Sequence, residues 1–353
     1  MQVEKYGVLF HDQARAFKGF TLYSRIFSDI VFLIDMAGNV VHQWKTGLGI
    51  THFNYLLPNG NLFVCEKSDA GPPLIAGKSG LMREYDWDGN IVWEHRDDWH
   101  HHDGRRLPNG HCAYLAWRLF TPDEAARVQG GRPGTEHETG IYGEMVRETD
   151  ADGNVVFEWS NNDPEFLARY PIAPLASREE YGHANTIDVL PNGDFLVSFR
   201  VLNLLVIIDR QTGKLKWEYQ NDMLGGQHDS HMLQNGNILV FANGYQTPGV
   251  LPVGSQVWEI DPATREIVWR YVPKRNPLDF YSPHISGCQR LPNGNTLICE
   301  GGKGCLFEVT AEGDLVWQYY SPHFDKHHFV GEMNWIFRAK RYAADSQEIR
   351  NRV

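Results

Sequence analysis

Histidines recur at fixed distances before a turn motif, and their imidazoles are the main candidates for chemistry in this chain. Counted back from the leucine of each Leu-x-Asn-Gly turn, they fall five or seven residues earlier. Because these offsets share parity, the side chains lie on one face of a strand. The histidines at these positions are His52, His100, His102, His183, His228 and His284. Since neutral imidazole acts as base, nucleophile or metal ligand, we predict a histidine-rich pocket.

Seven further histidines divide into two groups. The segment HFDKHHF is expected to bring His323, His327 and His328 to the same rim. By contrast, His42, His95, His111 and His137 lie in outer strands, turns or loops and are interpreted as structural. In GGQHDSHMLQNGN (225–237), His231 has the opposite parity to His228, so we expect it to pack against a neighbouring unit. The glycines before His228 would let a ligand approach closely.

Two repeated patterns show which elements must position these histidines. A turn followed by an aromatic strand occurs six times, as in DMAGNVVHQW (35–44) and DWDGNIVWEH (86–95). A hairpin signal occurs five times, as in LLPNGNLFV (56–64) and VLPNGDFLV (189–197), where both Asn and Gly tolerate positive φ. Repeats of this length predict an all-β fold, a six-bladed β-propeller in which the C-terminal strand completes the N-terminal blade.

The blades are predicted as parts of a single domain covering 1–353. Their predicted ranges are 20–47 plus 330–343, 51–97, 100–161, 183–221, 228–273 and 284–321. Long excursions at 118–140 and 161–181 enlarge the third blade, and with the loops near 66–80 and 243–255 they are expected to roof the histidine pocket.

Composition argues against several classes of partner. The net charge of −11 offers no basic footprint for nucleic acid or an anionic membrane surface. There is neither a signal-peptide pattern nor an apolar run long enough to span a bilayer, so a cytoplasmic location is expected. Five cysteines without a CxxC pair indicate buried free thiols. The predicted partner is a small aromatic or phenolic molecule, and the oligomeric state stays open.

An arginine on the strand after His183 suits an anionic ligand. In YGHANTIDVLPNGDFLVSFR (181–200), Arg200 closes the strand beyond the turn from His183 and Asn185. The planar guanidinium matches a tetrahedral oxyanion such as sulfate or phosphate. Further candidate substrate-binding residues are Asn185, His52, His284, Tyr181, Tyr245 and Tyr281, with the tyrosines able to stack on an aromatic ring.

These motifs resemble those of the bacterial arylsulfate sulfotransferases. The resemblance runs from about residue 15 to the end. It is most specific in HANT, SFR and IDRQTGKLKW of the fourth blade and in QHDSHMLQNGNILVFANG of the fifth. It implies a six-bladed propeller that transfers a sulfuryl group from a phenolic sulfate ester to another phenol without a cofactor.

By the same resemblance, His228 is the nucleophile that becomes a transient sulfohistidine. His183 and Arg200 hold the sulfuryl oxygens and assist proton transfer, and His102 is a further catalytic histidine.

Two other functions are open at this point. The rim histidines would suit one divalent transition metal, with His52, His102, His183, His228 and His284 as ligands, in a metal-dependent lyase, hydrolase or oxygenase acting on an aromatic substrate. A propeller without catalytic activity would instead be a binding platform, because fold alone does not specify function.

Overall fold

The computed structural model describes residues 5–73, 75–245, 254–327 and 331–353, and six sheets make up most of this part of the chain. Blade 1 consists of Ile336–Ala343, Gly19–Arg25, Ile30–Ile34 and Val40–Lys45. Blade 2 consists of Ile50–Leu56, Leu62–Lys67, Gly80–Tyr85 and Ile91–Arg96. Blade 3 consists of His100–Arg106, Cys112–Leu119, Tyr142–Thr149 and Val155–Ser160.

The second half of the chain repeats the same antiparallel pattern. Blade 4 consists of Ala184–Val189, Phe195–Phe199, Leu204–Ile208 and Leu215–Gln220. Blade 5 consists of His228–Met232, Ile238–Ala242, Gln256–Ile260 and Ile267–Tyr271. Blade 6 consists of Gly287–Arg290, Thr296–Glu300, Cys305–Val309 and Leu315–Tyr320, followed at its outer edge by Gly7–His11, a strand that the repeats did not predict.

The innermost strands form a closed ring. Each first strand contacts the first strands of both neighbouring blades, from Ile50–Leu56 around to Ile336–Ala343. The fold is therefore the six-bladed β-propeller that the repeats predicted. The C-terminal strand Ile336–Ala343 pairs antiparallel with Gly19–Arg25, so blade 1 contains both ends of the propeller.

The recurrent aromatic residues join neighbouring blades. Indole nitrogens of outer strands donate hydrogen bonds of 2.8–2.9 Å to backbone carbonyls in the turn of the next blade. The pairs are Trp44 with Asp86, Trp217 with Pro262, Trp269 with Ala311, and Trp317 with Met36. Each ring thus packs between blades while its one polar atom is satisfied, which explains why the aromatic pattern follows the blade repeat.

The Asn-Gly turns differ in one detail from the expectation. Only the glycine of each turn has positive φ, as at Gly193 with φ of 87°, while its asparagine does not. Leu190 donates its N–H to the carbonyl of Asp194, and Gly193 donates to the carbonyl of Leu190. The proline before the asparagine favours a type I turn, after which a left-handed glycine closes the hairpin.

The two excursions of blade 3 pack against each other. They contain the helices Pro122–Ala125 and Pro164–Arg169 and the short strands Gly130–Arg132 and Ile172–Ser177, which pair in parallel. In the described part of the chain, four single turns of 3-10 helix and the hairpin of Asp325–His327 with Gly331–Met333 complete the secondary structure; the turns are Arg200–Leu202, Asp222–Leu224, Pro277–Asp279 and Gly301–Lys303. All five cysteines lie within the described ranges, and they are buried and form no disulfide. Within the described residues, no helix has the length and hydropathy needed to cross a bilayer.

Candidate active site

Four of the predicted histidines come together at one end of the channel, around the ring of Phe337. The ring of His102 lies 4.7 Å, centroid to centroid, from the rings of both His52 and His183. The rings of His52 and His228 lie 4.7 Å and 6.0 Å from that of Phe337. Imidazoles from blades 2, 3 and 5 therefore surround one apolar ring of the C-terminal strand, and His183 of blade 4 joins them through its contact with His102.

A buried arginine closes the channel beneath this group. Arg338, next to Phe337, donates hydrogen bonds to Asp103 at 2.9 Å and to the carbonyl of Asn185 at 2.6 Å. Its Nε lies 3.2 Å from a carboxylate oxygen of Asp229. Because Arg338 thereby links blades 1, 3, 4 and 5, its ion pairs hold the inner strands that carry the histidines at fixed distances.

His228 is held in a single tautomer by Asn243. The amide nitrogen of Asn243 donates to the carbonyls of Ser282 and Ile285, so its Oδ1 must be the acceptor that lies 2.8 Å from Nδ1 of His228. The proton of the neutral ring is therefore on Nδ1, and Nε2 carries an available lone pair. Burial, followed by the positive charge of Arg200, holds the pKa of His228 well below its ordinary value.

His183 is oriented by a buried carboxylate. Its Nδ1 lies 2.8 Å from Glu180 Oε1, and Glu180 Oε2 accepts a 2.8 Å hydrogen bond from the indole nitrogen of Trp117. Burial acts to raise the pKa of Glu180, but the charge and hydrogen bond of His183 outweigh it and the net shift is downward. Both His183 and His102 have left-handed backbone conformations, with φ of 49° and 51°. Such strain in non-glycine residues costs about 1 kcal/mol or more each and is frequent at active sites.

Arg200 lies in a cleft of about 270 Å³ together with Glu180 and His183. Its Nε is buried without a hydrogen-bond partner among the described residues, and burial lowers the pKa of its guanidinium. The paired excursions supply the outer wall through Arg132 and the segment 173–177. An uncompensated guanidinium is costly to bury, so the cleft is suited to an anionic group.

Two comparisons place the chain among known sequences. The model of one arylsulfotransferase (ASST) family matches residues 123–322, and that of a second arylsulfotransferase (ASST) family matches residues 10–222. Each match covers more than half of the chain. The chain belongs to the arylsulfotransferase family. At family level this makes it a transferase, and the family suggests aryl sulfuryl transfer.

Similar solved structures share the fold of this chain at low identity. A protein of unknown function from Bacteroides caccae aligns with a TM-score of 0.56 at 15% identity, covering 92% of this chain and 98% of its own. A streptogramin B lyase aligns with a TM-score of 0.50 at 12% identity, covering 90% and 83%. A protein from Lactobacillus plantarum has a TM-score of 0.50 at 10% identity, covering 92% and 99%. No curated protein sequence matches the chain.

Several predicted site residues of this chain lie away from the four histidines and the cleft. Tyr181 is fully buried, and its hydroxyl donates to the carbonyls of Phe166 and Tyr170, so the expectation that it stacks on a substrate is wrong. Asn185 is buried as well, and its amide donates to the carbonyl of Gln227 at 2.7 Å, which makes it a link between blades 4 and 5 instead of a substrate contact. Both predictions fail for the same reason: each side chain donates its hydrogen bonds to buried backbone carbonyls and is not available to a substrate.

His100 also departs from the prediction. Its ring packs edge-on against Tyr114, and its Nδ1 accepts the N–H of Gly80, so it faces the interface between blades 2 and 3. The reason is an irregularity in the strand: the register shifts between Tyr114 and Leu115, and His102 has positive φ. Strict alternation of side chains therefore fails within HHHD.

The remaining predicted residues lie at or near the rim. Tyr245 lines the cleft, and Tyr281 is half-buried. The ring of His284 packs 4.7 Å from that of Trp335, and burial lowers its pKa to about 4. His323 stacks on Phe32 instead of joining the four histidines. The side chain of His327, the whole of His328 and most of the predicted loop 243–255 lie outside the described residues.

The residues that support the histidines were not predicted from the sequence. They are Gly77, His101, Glu144, Glu180 and Asn243. The three consecutive histidines 100–102 were the one available signal for His101. The two glutamates lie on other strands or loops, where no spacing relates them to the histidines.

The alternative metal site does not fit the arrangement. In the ranges that the structure describes, no group of three or more His, Cys, Asp or Glu side chains is arranged to hold a metal ion. The rings of His52 and His183 each lie 4.7 Å, centroid to centroid, from that of His102, and the ring of His52 also packs against Phe337.

Proposed function

We propose that this protein transfers a sulfuryl group from an aryl sulfate to a phenolic acceptor through a sulfohistidine formed on His228. The observation that carries the proposal is the Asn243 contact, because it places the proton of the neutral imidazole on Nδ1 and leaves the Nε2 lone pair to attack an electrophile. The pKa of His228 lies well below its ordinary value because of burial and the charge of Arg200, so the nucleophile stays unprotonated at neutral pH.

The first half-reaction forms an N–S bond and breaks the S–O bond to the donor aryl group. Nε2 of His228 supplies the electron pair, and the aryl oxygen leaves with the electrons of the broken bond. Arg200 and His183 offset negative charge on the sulfuryl oxygens, since Arg200 has no ion-pair partner of its own among the described residues. The leaving oxygen takes a proton from the neighbouring imidazoles His102 or His183.

The second half-reaction reverses these events with a different phenol. The acceptor oxygen attacks sulfur, the N–S bond breaks, and the electron pair returns to His228. The acceptor proton passes to the imidazole that gave one up in the first step, so the enzyme ends as it began. The walls formed by Leu175, Ala176 and Tyr245 supply the apolar surface on which an aromatic ring can lie.

The proposal is tested with 4-nitrophenyl sulfate as donor and phenol as acceptor. We expect release of nitrophenol that depends on both compounds, and loss of that release in His228→Ala. His231→Asn, altered on the same strand, is the control and should retain transfer. Mass spectrometry of enzyme treated with donor alone should find one added sulfuryl group on His228. A protein that releases nitrophenol only when a transition metal is present would overturn the proposal.

A further inference from the structure

A line of buried contacts leads from His102 into the interior of blade 3. Nδ1 of His102 lies 2.9 Å from Nδ1 of His101, and Nε2 of His101 lies 2.8 Å from Oε2 of Glu144. The second contact is short but lacks the alignment of a hydrogen bond, so both atoms are buried without a hydrogen-bond partner in the described part of the chain. His101 is also fixed by stacking on Trp117 at 4.5 Å.

Glu144 is bound at both of its oxygens. Its Oε1 accepts the N–H of Ala184 at 2.9 Å, directly after His183. Because Oε1 already accepts a hydrogen bond from this backbone N–H, we place the proton of the neutral carboxyl group on Oε2, which faces His101. Glu144 thus binds the backbone next to His183 through one oxygen, and its other oxygen faces His101, which contacts His102.

The two buried carboxyl groups of this region have different charge states. Burial, and then the negative charge of Glu180, raises the pKa of Glu144 well above its ordinary value, whereas His183 keeps Glu180 ionised. The charge of Glu180 disfavours ionisation of Glu144, as expected for two neighbouring carboxyl groups. Glu144 is therefore the member of the pair that favours the protonated form and can act as a proton donor.

Two facing imidazole nitrogens require that one of them donates. If Glu144 donates to Nε2 of His101, then Nδ1 of His101 carries hydrogen and donates to His102, which keeps its own proton on Nε2. If Glu144 is ionised, His101 carries its proton on Nε2, facing Glu144. His102 then carries its proton on Nδ1 and donates to Nδ1 of His101. Both arrangements use the same two contacts, so the protons can shift without a change of partner.

We propose that His101 and Glu144 are positioning residues of the transfer site, which set His102 as a proton donor in one half-reaction and a proton acceptor in the other. This inference rests on the proposed function. In the first half-reaction the leaving phenolate takes the Nε2 proton of His102, His102 takes the Nδ1 proton of His101, and His101 takes the proton of Glu144. The phenolate becomes a phenol and Glu144 becomes a carboxylate; the acceptor phenol reverses every transfer.

Other groups face this chain of residues and affect its proton affinity. They are Glu180 and Asp97 toward His101, His183 toward Glu144, and His52, His183 and His228 toward His102, together with the carbonyl of Ala116. Burial is the largest influence on both imidazoles and favours their neutral forms. A shift between two neutral tautomers fits these surroundings better than formation of an imidazolium.

The proposal is tested with Glu144→Gln, whose amide can donate to His101 but cannot release a proton. We expect the first half-reaction to slow at least tenfold with phenyl sulfate, whose leaving phenolate is strongly basic, and to change little with 4-nitrophenyl sulfate. Loss of packing alone would slow both donors equally. The matched control is Glu148→Gln, which alters a buried carboxylate on the same strand and should leave both rates unchanged.

A measurement on the resting protein separates this inference from the proposed function. Nitrogen-15 NMR of the imidazoles should find hydrogen on Nδ1 of His101 and on Nε2 of His102, in the wild type and in Glu144→Gln alike. If the wild type transfers no sulfuryl group yet shows these tautomers, the proposed function fails and the relay geometry stands. Two results would overturn the relay: an equal fall in the Glu144→Gln first-half-reaction rates with both donors, or hydrogen on Nδ1 of His102 in the resting protein.

Discussion

Nδ1 of His228 and Oδ1 of Asn243 lie 2.8 Å apart, and the two hydrogen bonds donated by the Asn243 amide leave that oxygen no role except acceptor. The second residue thereby determines which nitrogen of the first bears the proton. Because Asn243 is itself bonded to Ser282 and Ile285, the tautomer of a blade 5 histidine depends on the chain that leads into blade 6.

Asn243→Ala is expected to impair both catalysis and stability. Without the acceptor, His228 can place its proton on Nε2, so we expect the rate of sulfuryl transfer to fall about tenfold or more. Two buried carbonyls also lose their donor, at a cost of about 1–3 kcal/mol in the free energy of unfolding. Stopped-flow release of nitrophenol and urea unfolding measure the two effects. Asn39→Ala, at an exposed turn, serves as the control, and an unchanged rate would argue against the tautomer assignment.

Arg200→Ala is expected to separate function from stability. The guanidinium meets no carboxylate among the described residues, so its removal should not lower the free energy of unfolding and can raise it. The same variant should lose about a hundredfold or more in kcat/KM for aryl sulfates, because the sulfuryl oxygens lose a charged donor. Arg127→Ala, at an exposed position, should change neither quantity. A strongly destabilised Arg200→Ala protein with normal kcat/KM would contradict the assignment.

Gly77→Ala is expected to disturb His102 directly. A Cβ at this position would lie 1.9 Å from the ring of His102, and φ is 99°. We expect transfer to fall at least tenfold and the free energy of unfolding to fall by about 1–3 kcal/mol, since ring and loop must separate. Gly134→Ala isolates the backbone cost, because φ is 78° there and nothing lies within 4 Å of the added Cβ. Equal losses in both variants would show that contact with His102 is unimportant.

Buried histidines should make the protein sensitive to acid. Burial lowers the pKa of His101 to about 4 and that of His100 to about 3. The unfolded chain then binds protons below about pH 6.5 while these folded-state rings stay neutral, so stability falls as pH drops from about 6.5 toward 4. Above pH 7 both states are neutral and these groups have no effect.

The expected slope is about 1.4 kcal/mol per pH unit for each such histidine once the unfolded chain is protonated. Urea unfolding between pH 7 and 4.5 measures it. His100→Gln, which changes a ring outside the catalytic group, should lower the slope by about that amount. A slope that is the same in wild type and variant would mean that His100 titrates alike in both states.

The propeller and the shared orientation of His52, His102 and His228 were predictable from the order of residues alone. Blade structure depends on the residues of each turn and on the alternation of side chains along a strand. Both are properties of contiguous residues. The family resemblance likewise rested on contiguous motifs around His183, Arg200 and His228.

The hydrogen-bond partners of these side chains could be identified only from the tertiary structure. Glu180, Glu144 and Asn243 reach the histidines from other strands and loops, so no periodicity along the chain could pair them. Because His102 has positive φ, side chains do not alternate strictly along its strand, and His100 does not lie at the rim as predicted. Tyr181 is fully buried instead of facing a substrate. A strand pattern specifies the side of the sheet on which a ring lies, whereas its tautomer and charge depend on atoms that only folding brings within hydrogen-bond distance.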